Sequence, residues 1–99
     1  MGHGFKILEQ NFSNKSNFQG GEIDIIASKG ETMHFIEVKC RLTDTYGAGR
    51  EAVTKSKQRT IRRIATQYLV NRDLYDRVHV SFDVIEINSD GIEYFENCF

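Results

Sequence analysis

Proline and tryptophan are absent from this 99-residue chain, and cysteine occurs only twice. With no proline-rich linker, repeat or low-complexity run to divide it, the sequence reads as one domain, residues 1–99, with one core. Cys40 and Cys98 follow no metal or redox spacing, and a reduced, cytoplasmic setting is the simplest account of them. His3, His34 and His79 are scattered without ligand spacing, which argues against a zinc site. No run of about 18 apolar residues occurs, so no membrane-spanning helix is expected. No charged start followed by an apolar stretch marks a signal peptide. Net charge is nearly nil as well, −1, which taken alone speaks against a nucleic-acid binder.

The distribution of that charge speaks the other way. Between Lys39 and Arg63 stand eight basic residues and two acidic ones, a balance of +6. Residues 1–38 sum to −2 and residues 64–99 to −5. A basic block on one element is the footprint expected for phosphate binding, although a solvated helix face accounts for it equally well.

Just ahead of this block lies the most informative pattern. Gly21-Glu22-Ile23-Asp24-Ile25-Ile26-Ala27 and Phe35-Ile36-Glu37-Val38-Lys39 alternate apolar and charged residues with period two, as half-buried strands do. Ser28-Lys29-Gly30-Glu31-Thr32 between them reads as a turn, so the whole is expected to form a β-hairpin. If Ala27 pairs with His34, Asp24 falls opposite Glu37 and Glu22 opposite Lys39. All four charges then share one face, continued by Ile26, Phe35 and Met33, while Ile23, Ile25, Ile36 and Val38 occupy the other. Like charges facing one another across strands are unfavourable, and two close carboxylates raise one another's pKa. A divalent cation relieves both, since Mg²⁺ favours one or two carboxylates completed by water and phosphate oxygens. Lys39, two residues beyond Glu37, can orient a water beside such an ion. These are the parts of metal-assisted phosphodiester hydrolysis. An outer strand face with incidental charge accounts for the pattern without any chemistry.

The residues Gly21-Glu22-Ile23-Asp24, then Phe35-Ile36-Glu37-Val38-Lys39 and Arg41, resemble the signature of PD-(D/E)XK nucleases. More closely, the chain is similar to the YraN-like family of small bacterial proteins, distant relatives of archaeal Holliday junction resolvases. The resemblance runs from Gly4-Phe5-Lys6-Ile7-Leu8-Glu9 to Phe82-Asp83-Val84-Ile85, and includes Tyr46-Gly47, Glu51-Ala52-Val53, Lys57-Gln58 and Ala65-x-x-Tyr68-Leu69. It implies a restriction-endonuclease-like α/β fold, a mixed sheet of about five strands with one long helix, and metal-dependent endonuclease chemistry on DNA, branched DNA included. It also implies Mg²⁺ or Mn²⁺ held by Asp24 and Glu37 with the Val38 carbonyl, and a catalytic Lys39. Glu22 is then a further ligand or the ion-pair partner of Lys39. Relatives open with a helix that supplies another acidic residue, whereas here only Met1-Gly2-His3-Gly4 precedes Phe5. Apolar surface around Phe5 and Ile7 is therefore expected to be exposed, and a symmetric homodimer to cover it. A non-catalytic nucleic-acid-binding module that retains the fold is the alternative.

The remaining elements follow from periodicity. Phe5–Phe12 is expected to be a strand, Arg50 or Glu51 to about Asn71 the long helix, Val78–Ile87 a buried strand, and Ile92–Phe99 an edge strand after the Ser89-Asp90-Gly91 turn. Glu51 in the first helical turn suits the helix dipole. Lys55, Arg59 and Arg62 cluster away from the apolar stripe of Val53, Ile61, Ile64, Ala65 and Tyr68. With Arg41 and Arg63 they make the candidate nucleic-acid surface. Lys57 falls inside that stripe, where it either snorkels past the core or reaches the acidic cluster or a bound phosphate. Gln58 is placed to bond a metal-bound water or the substrate. Asp83 is expected to be a structural carboxylate paired with a basic residue, and Cys40 a small core residue opposite the acids.

Overall fold

Alternation and turn chemistry produce the expected hairpin. In the computed structural model, which describes residues 4–13, 20–41 and 53–99, β1 spans Lys6–Phe12, β2 Ile23–Lys29 and β3 Thr32–Arg41. Lys29 pairs with Thr32 across a two-residue turn whose first member, Gly30, has φ +59°, a value that glycine adopts without cost. The register is Ala27 against His34, as the pattern requires. The helix α1 (Lys55–Asn71) follows, then β4 (His79–Asn88) and β5 (Gly91–Phe95).

The five strands form one mixed sheet in the order β1-β2-β3-β4-β5. All neighbours are antiparallel except β3 and β4. A parallel pair needs a crossover, and α1 lies in it. The helix buries Ile61, Ile64, Ala65, Tyr68 and Leu69 in one cluster with Ile26, Met33, Phe35, Phe82 and Val84 of the sheet. Each such large side chain contributes roughly 1.5–3 kcal/mol. Ile23 joins this cluster too, so strict alternation fails at the entry to β2. The opposite face carries Ala27, Ile36 and a polar group centred on Asp83, with the Phe5 ring seated edge-on against His34 at 4.9 Å. Asp83 is fully buried and pairs with His34, the structural role expected of it. Among the described residues no helix is long and apolar enough to cross a membrane.

Three further expectations change. The helix starts at Lys55, because the Thr54 hydroxyl accepts from the Lys57 N–H at 3.1 Å and caps it there. No acidic residue occupies its first turn, and Glu51 lies outside the described residues, as do the segments 14–19 and 42–52. Cys40 is exposed rather than a core residue, since it sits near the far end of β3, beyond the hydrophobic layer. Phe5 is half-buried within its own chain, while Ile7 remains 37% exposed.

The approach to β2 is held tightly against α1. The Arg63 guanidinium donates to the Gly20 carbonyl at 3.3 Å, and a Cβ on Gly21 would stand 2.5 Å from the Thr60 methyl. Gly21 also has φ +95°, which disfavours any side chain. Gly21→Ala is therefore expected to cost about 1–3 kcal/mol of stability in urea unfolding. Adding Thr60→Ser removes the clashing methyl and should recover part of that loss, but not the backbone strain.

Candidate active site

The ladder between β2 and β3 ends at Ile25 and Ile36, one pair before Asp24 would face Glu37. Beyond that point the Asp24 carboxylate takes over a backbone duty, accepting from the Val38 N–H at 2.8 Å. The strands part here, and an open cleft of about 410 Å³ lies at the fork, lined by Gln10, Asn11, Asp24, Ile25 and Val38. Glu22 precedes β2 and is exposed, so its predicted pairing with Lys39 does not form and the two make no ion pair.

Glu37 lies on the helix side of β3, 5% exposed. Lys57 answers it from α1, its Nζ 3.2 Å from Oε2. The capped helix start explains this contact: with Thr54 as N-cap, Lys57 becomes the third helical residue and turns toward the sheet. Of the two destinations open to it, Lys57 thus reaches the acidic cluster. The contact is an ion pair without hydrogen-bond alignment, and Glu37 Oε2 is buried with no hydrogen-bond partner among the described residues. Burial, then the hydrogen bond that a protonated Glu37 gives to the Asp24 carboxylate and the Asp24 charge, push the Glu37 pKa up to about 7, against the pull of Lys57.

Other expected residues are distributed unevenly. Lys39 is half-buried and pairs in register with Glu86 of β4, which is 6% exposed and was not singled out from the sequence. Its signal was present: a charge flanked by Ile85 and Ile87. Gln58 turns away from the acids and donates from Nε2 to the Val53 carbonyl at 3.0 Å. Lys55 and Arg59 are exposed, and Arg59 and Arg63 line a groove of about 280 Å³ with Ser56 and Thr60. Arg62, exposed as expected, also lays its guanidinium over the Phe82 ring at 4.7 Å and near Phe99 at 5.8 Å. That packing covers the end of the core with the guanidinium plane. The side chain of Arg41 lies outside the described residues. Among the described residues no group of three His, Cys, Asp or Glu side chains is placed to hold a metal ion.

Residues 1–87 match the model of the uncharacterised protein family UPF0102. The chain belongs to that family. It is 51% identical over 85 residues to a UPF0102 protein of Clostridium perfringens (strain 13 / Type A), covering 86% of this chain and 66% of that protein's length. A UPF0102 protein of Geobacter metallireducens is 43% identical over 101 residues, 98% of this chain and 79% of its own. One of Thermodesulfovibrio yellowstonii is 44% identical over 96 residues, 97% of this chain and 80% of its own.

For this UPF0102 chain the raised Glu37 pKa has a direct consequence. The folded state holds a proton that the unfolded chain releases near pH 4.5, so Glu37's contribution to stability is full below about 4.5 and is lost as pH rises through about 7. The loss amounts to at most a few kcal/mol. Urea unfolding at pH 5 and pH 8 should show this slope in the parent chain and a flatter one in Glu37→Gln.

Proposed function

We propose that this chain is a metal-dependent DNA endonuclease of the PD-(D/E)XK type, on a restriction-endonuclease-like core, acting on branched DNA in the manner of a junction resolvase. The observation that carries this reading is the buried Glu37 carboxyl, pushed up to about 7 against Asp24, with one oxygen lacking a hydrogen bond. Glu37 lies beside Asp24, which lines the cleft at the fork, and carboxyls so perturbed are characteristic of reaction sites. The pair also fits a small divalent cation. Mg²⁺ or Mn²⁺ needs only one or two carboxylates besides water and substrate oxygens, and Lys57 already places a positive charge against the orphaned oxygen. Asp24, Glu37 and the Val38 carbonyl would hold the ion, which when bound supplies a Lewis acid at the phosphate and a more acidic water.

The chain's own groups account for the rest. Lys39, on the same side of β3 as Glu37, orients the attacking water and stabilises charge growing on the phosphate. Lys57 holds the Glu37 charge balance while the site is empty of cation. Arg59 and Arg63, with Lys55, receive backbone phosphates along α1, and the Arg63 bond to Gly20 ties that surface to the approach of Asp24. A cytoplasmic setting suits Cys40 and Cys98, neither of which is in a disulfide.

One observation favours a different class. Lys57 already pairs with Glu37, and among the described residues no third acidic, His or Cys group joins the two carboxylates, so a nucleic-acid-binding module without catalysis is served by the same geometry. Incubation with linear and four-way-branched DNA separates the two. The nuclease reading expects cutting in Mg²⁺ or Mn²⁺ that EDTA abolishes and that falls by about 10²-fold or more in Asp24→Ala and Lys39→Ala. Cutting that persists in EDTA or in Asp24→Ala overturns it. Salt-dependent binding without cutting under any metal, unchanged or tighter in Asp24→Ala, establishes the binding module instead.

The face turned away from α1 exposes Ile7 and, on β5, Ile92 at 71%. We propose that a symmetric homodimer covers it, matching the two equivalent strands of a branched junction. Light scattering should report a dimer that Ile92→Lys and Ile7→Lys dissociate. A monomer at every concentration excludes this assembly.

A further inference from the structure

The sheet face away from α1 also carries a polar assembly that the candidate active site does not use. Asp83 is 0% exposed, yet its carboxylate accepts from four donors. These are His34 Nδ1 at 2.6 Å, the Asn97 N–H at 3.1 Å, and the hydroxyls of Tyr94 and Ser81. Burial, together with the bond to Asp83 and its charge, holds the Tyr94 phenol well above its ordinary pKa, so Tyr94 keeps its proton as a donor. Ser81 has a single hydroxyl proton. Given to Asp83, it leaves Ser81 to accept from Asn97, 2.9 Å away, whose amide then presents its nitrogen.

This arrangement fixes His34. With Nδ1–H committed to Asp83, only Nε2 is left to act, as a lone pair or, once protonated, as a donor. Nε2 has no hydrogen-bond partner among the described residues. His34 is 3% exposed, and beside it opens a cavity of about 430 Å³ whose walls include Lys29, Thr32, His79 and Glu96. Lys29 is not loose at this mouth: its Nζ lies 5.1 Å from the Phe5 ring centroid, and Phe5 rests against His34.

We propose that this cavity is a binding site for a phosphate-type oxyanion. Its walls offer an ammonium, two imidazoles and a hydroxyl, against one exposed carboxylate, Glu96. Asp83 contributes no acceptor, because its four donors occupy it. Such donor excess suits a ligand rich in acceptor oxygens and negative charge. A metal ion is a poor occupant, since no trio of acidic, His or Cys side chains converges among the described residues. Asp83, by backing Nδ1, leaves Nε2 as the ring nitrogen that His34 offers to the anion. The site is separate from the carboxylate pair. His34 and Glu37 sit on opposite faces of β3, and the cavity lies at the turn end of the hairpin, while the fork at Asp24 lies at the other. The proposal stands whether or not the chain cuts DNA.

Histidine-ring nitrogen NMR reads this site directly. Titration with inorganic phosphate, against chloride at matched ionic strength, should give saturable shifts at both His34 and His79. Lys29→Met and His79→Gln, both at exposed positions, should each weaken binding about tenfold while thermal unfolding stays unchanged. A mononucleotide and a 5′-phosphorylated oligonucleotide distinguish the sources. Equal binding of phosphate and mononucleotide indicates a free small phosphate. Preference for the phosphorylated oligonucleotide over its hydroxyl counterpart indicates a nucleic-acid end. No saturable His34 shift beyond that in chloride, a shift confined to His79, or an unchanged affinity in the Lys29→Met/His79→Gln double variant overturns the proposal.

Discussion

A single backbone amide, that of Val38, organises the candidate site. In an uninterrupted hairpin it would face a carbonyl of β2; here the Asp24 carboxylate receives it at 2.8 Å. Substituting a side chain for a backbone acceptor lets β2 and β3 diverge without stranding a buried donor. The fork created this way admits the cleft and brings Asp24 beside Glu37. Asp24 thus has two tasks, holding the strand geometry and supplying negative charge, and its replacement disturbs both.

The two faces of β3 divide the molecule's polar chemistry. On the helix side, Glu37 is buried beside Asp24 and compensated incompletely by Lys57. On the far side, Asp83 is buried deeper but compensated fully by four donors. The contrast shows how burial acts. A carboxyl with its hydrogen bonds satisfied can serve as scaffold, whereas one left with an orphaned oxygen gains a proton near neutrality. The first arrangement orients a neighbour; the second is poised to exchange its counter-charge.

Much of this was legible in the sequence, because period-two alternation around a glycine turn leaves the hairpin one register that buries its apolar face. The Ala27–His34 pairing and the closeness of Asp24 to Glu37 follow from it. The helix was legible by its stripe, but not its start, since Thr54 as N-cap competes with plausible beginnings nearer Arg50. That shift of register decided the fate of Lys57. Alternation also misplaced Ile23, where the chain enters β2 through Gly20 and Gly21 at positive φ, and Cys40, where strand continues past the core. The ring contacts of Arg62 were not legible, because helical periodicity says nothing about aromatic rings arriving from β4 and Phe99. Glu86 required the parallel register between β3 and β4, which no local pattern encodes.

That parallel register bears on how the molecule assembles. Every β3–β4 pair joins residues 47 apart in the chain, whereas the β2–β3 hairpin closes over a two-residue turn. Loop-closure entropy therefore favours the hairpin as the early, local event and leaves the crossover to the rate-limiting search. The fork at Asp24 belongs to the early structure, but Lys57 arrives only when α1 docks. Until then the two carboxylates lack the lysine that offsets their charge, so the long-range crossover, not the hairpin, completes the electrostatics of the site.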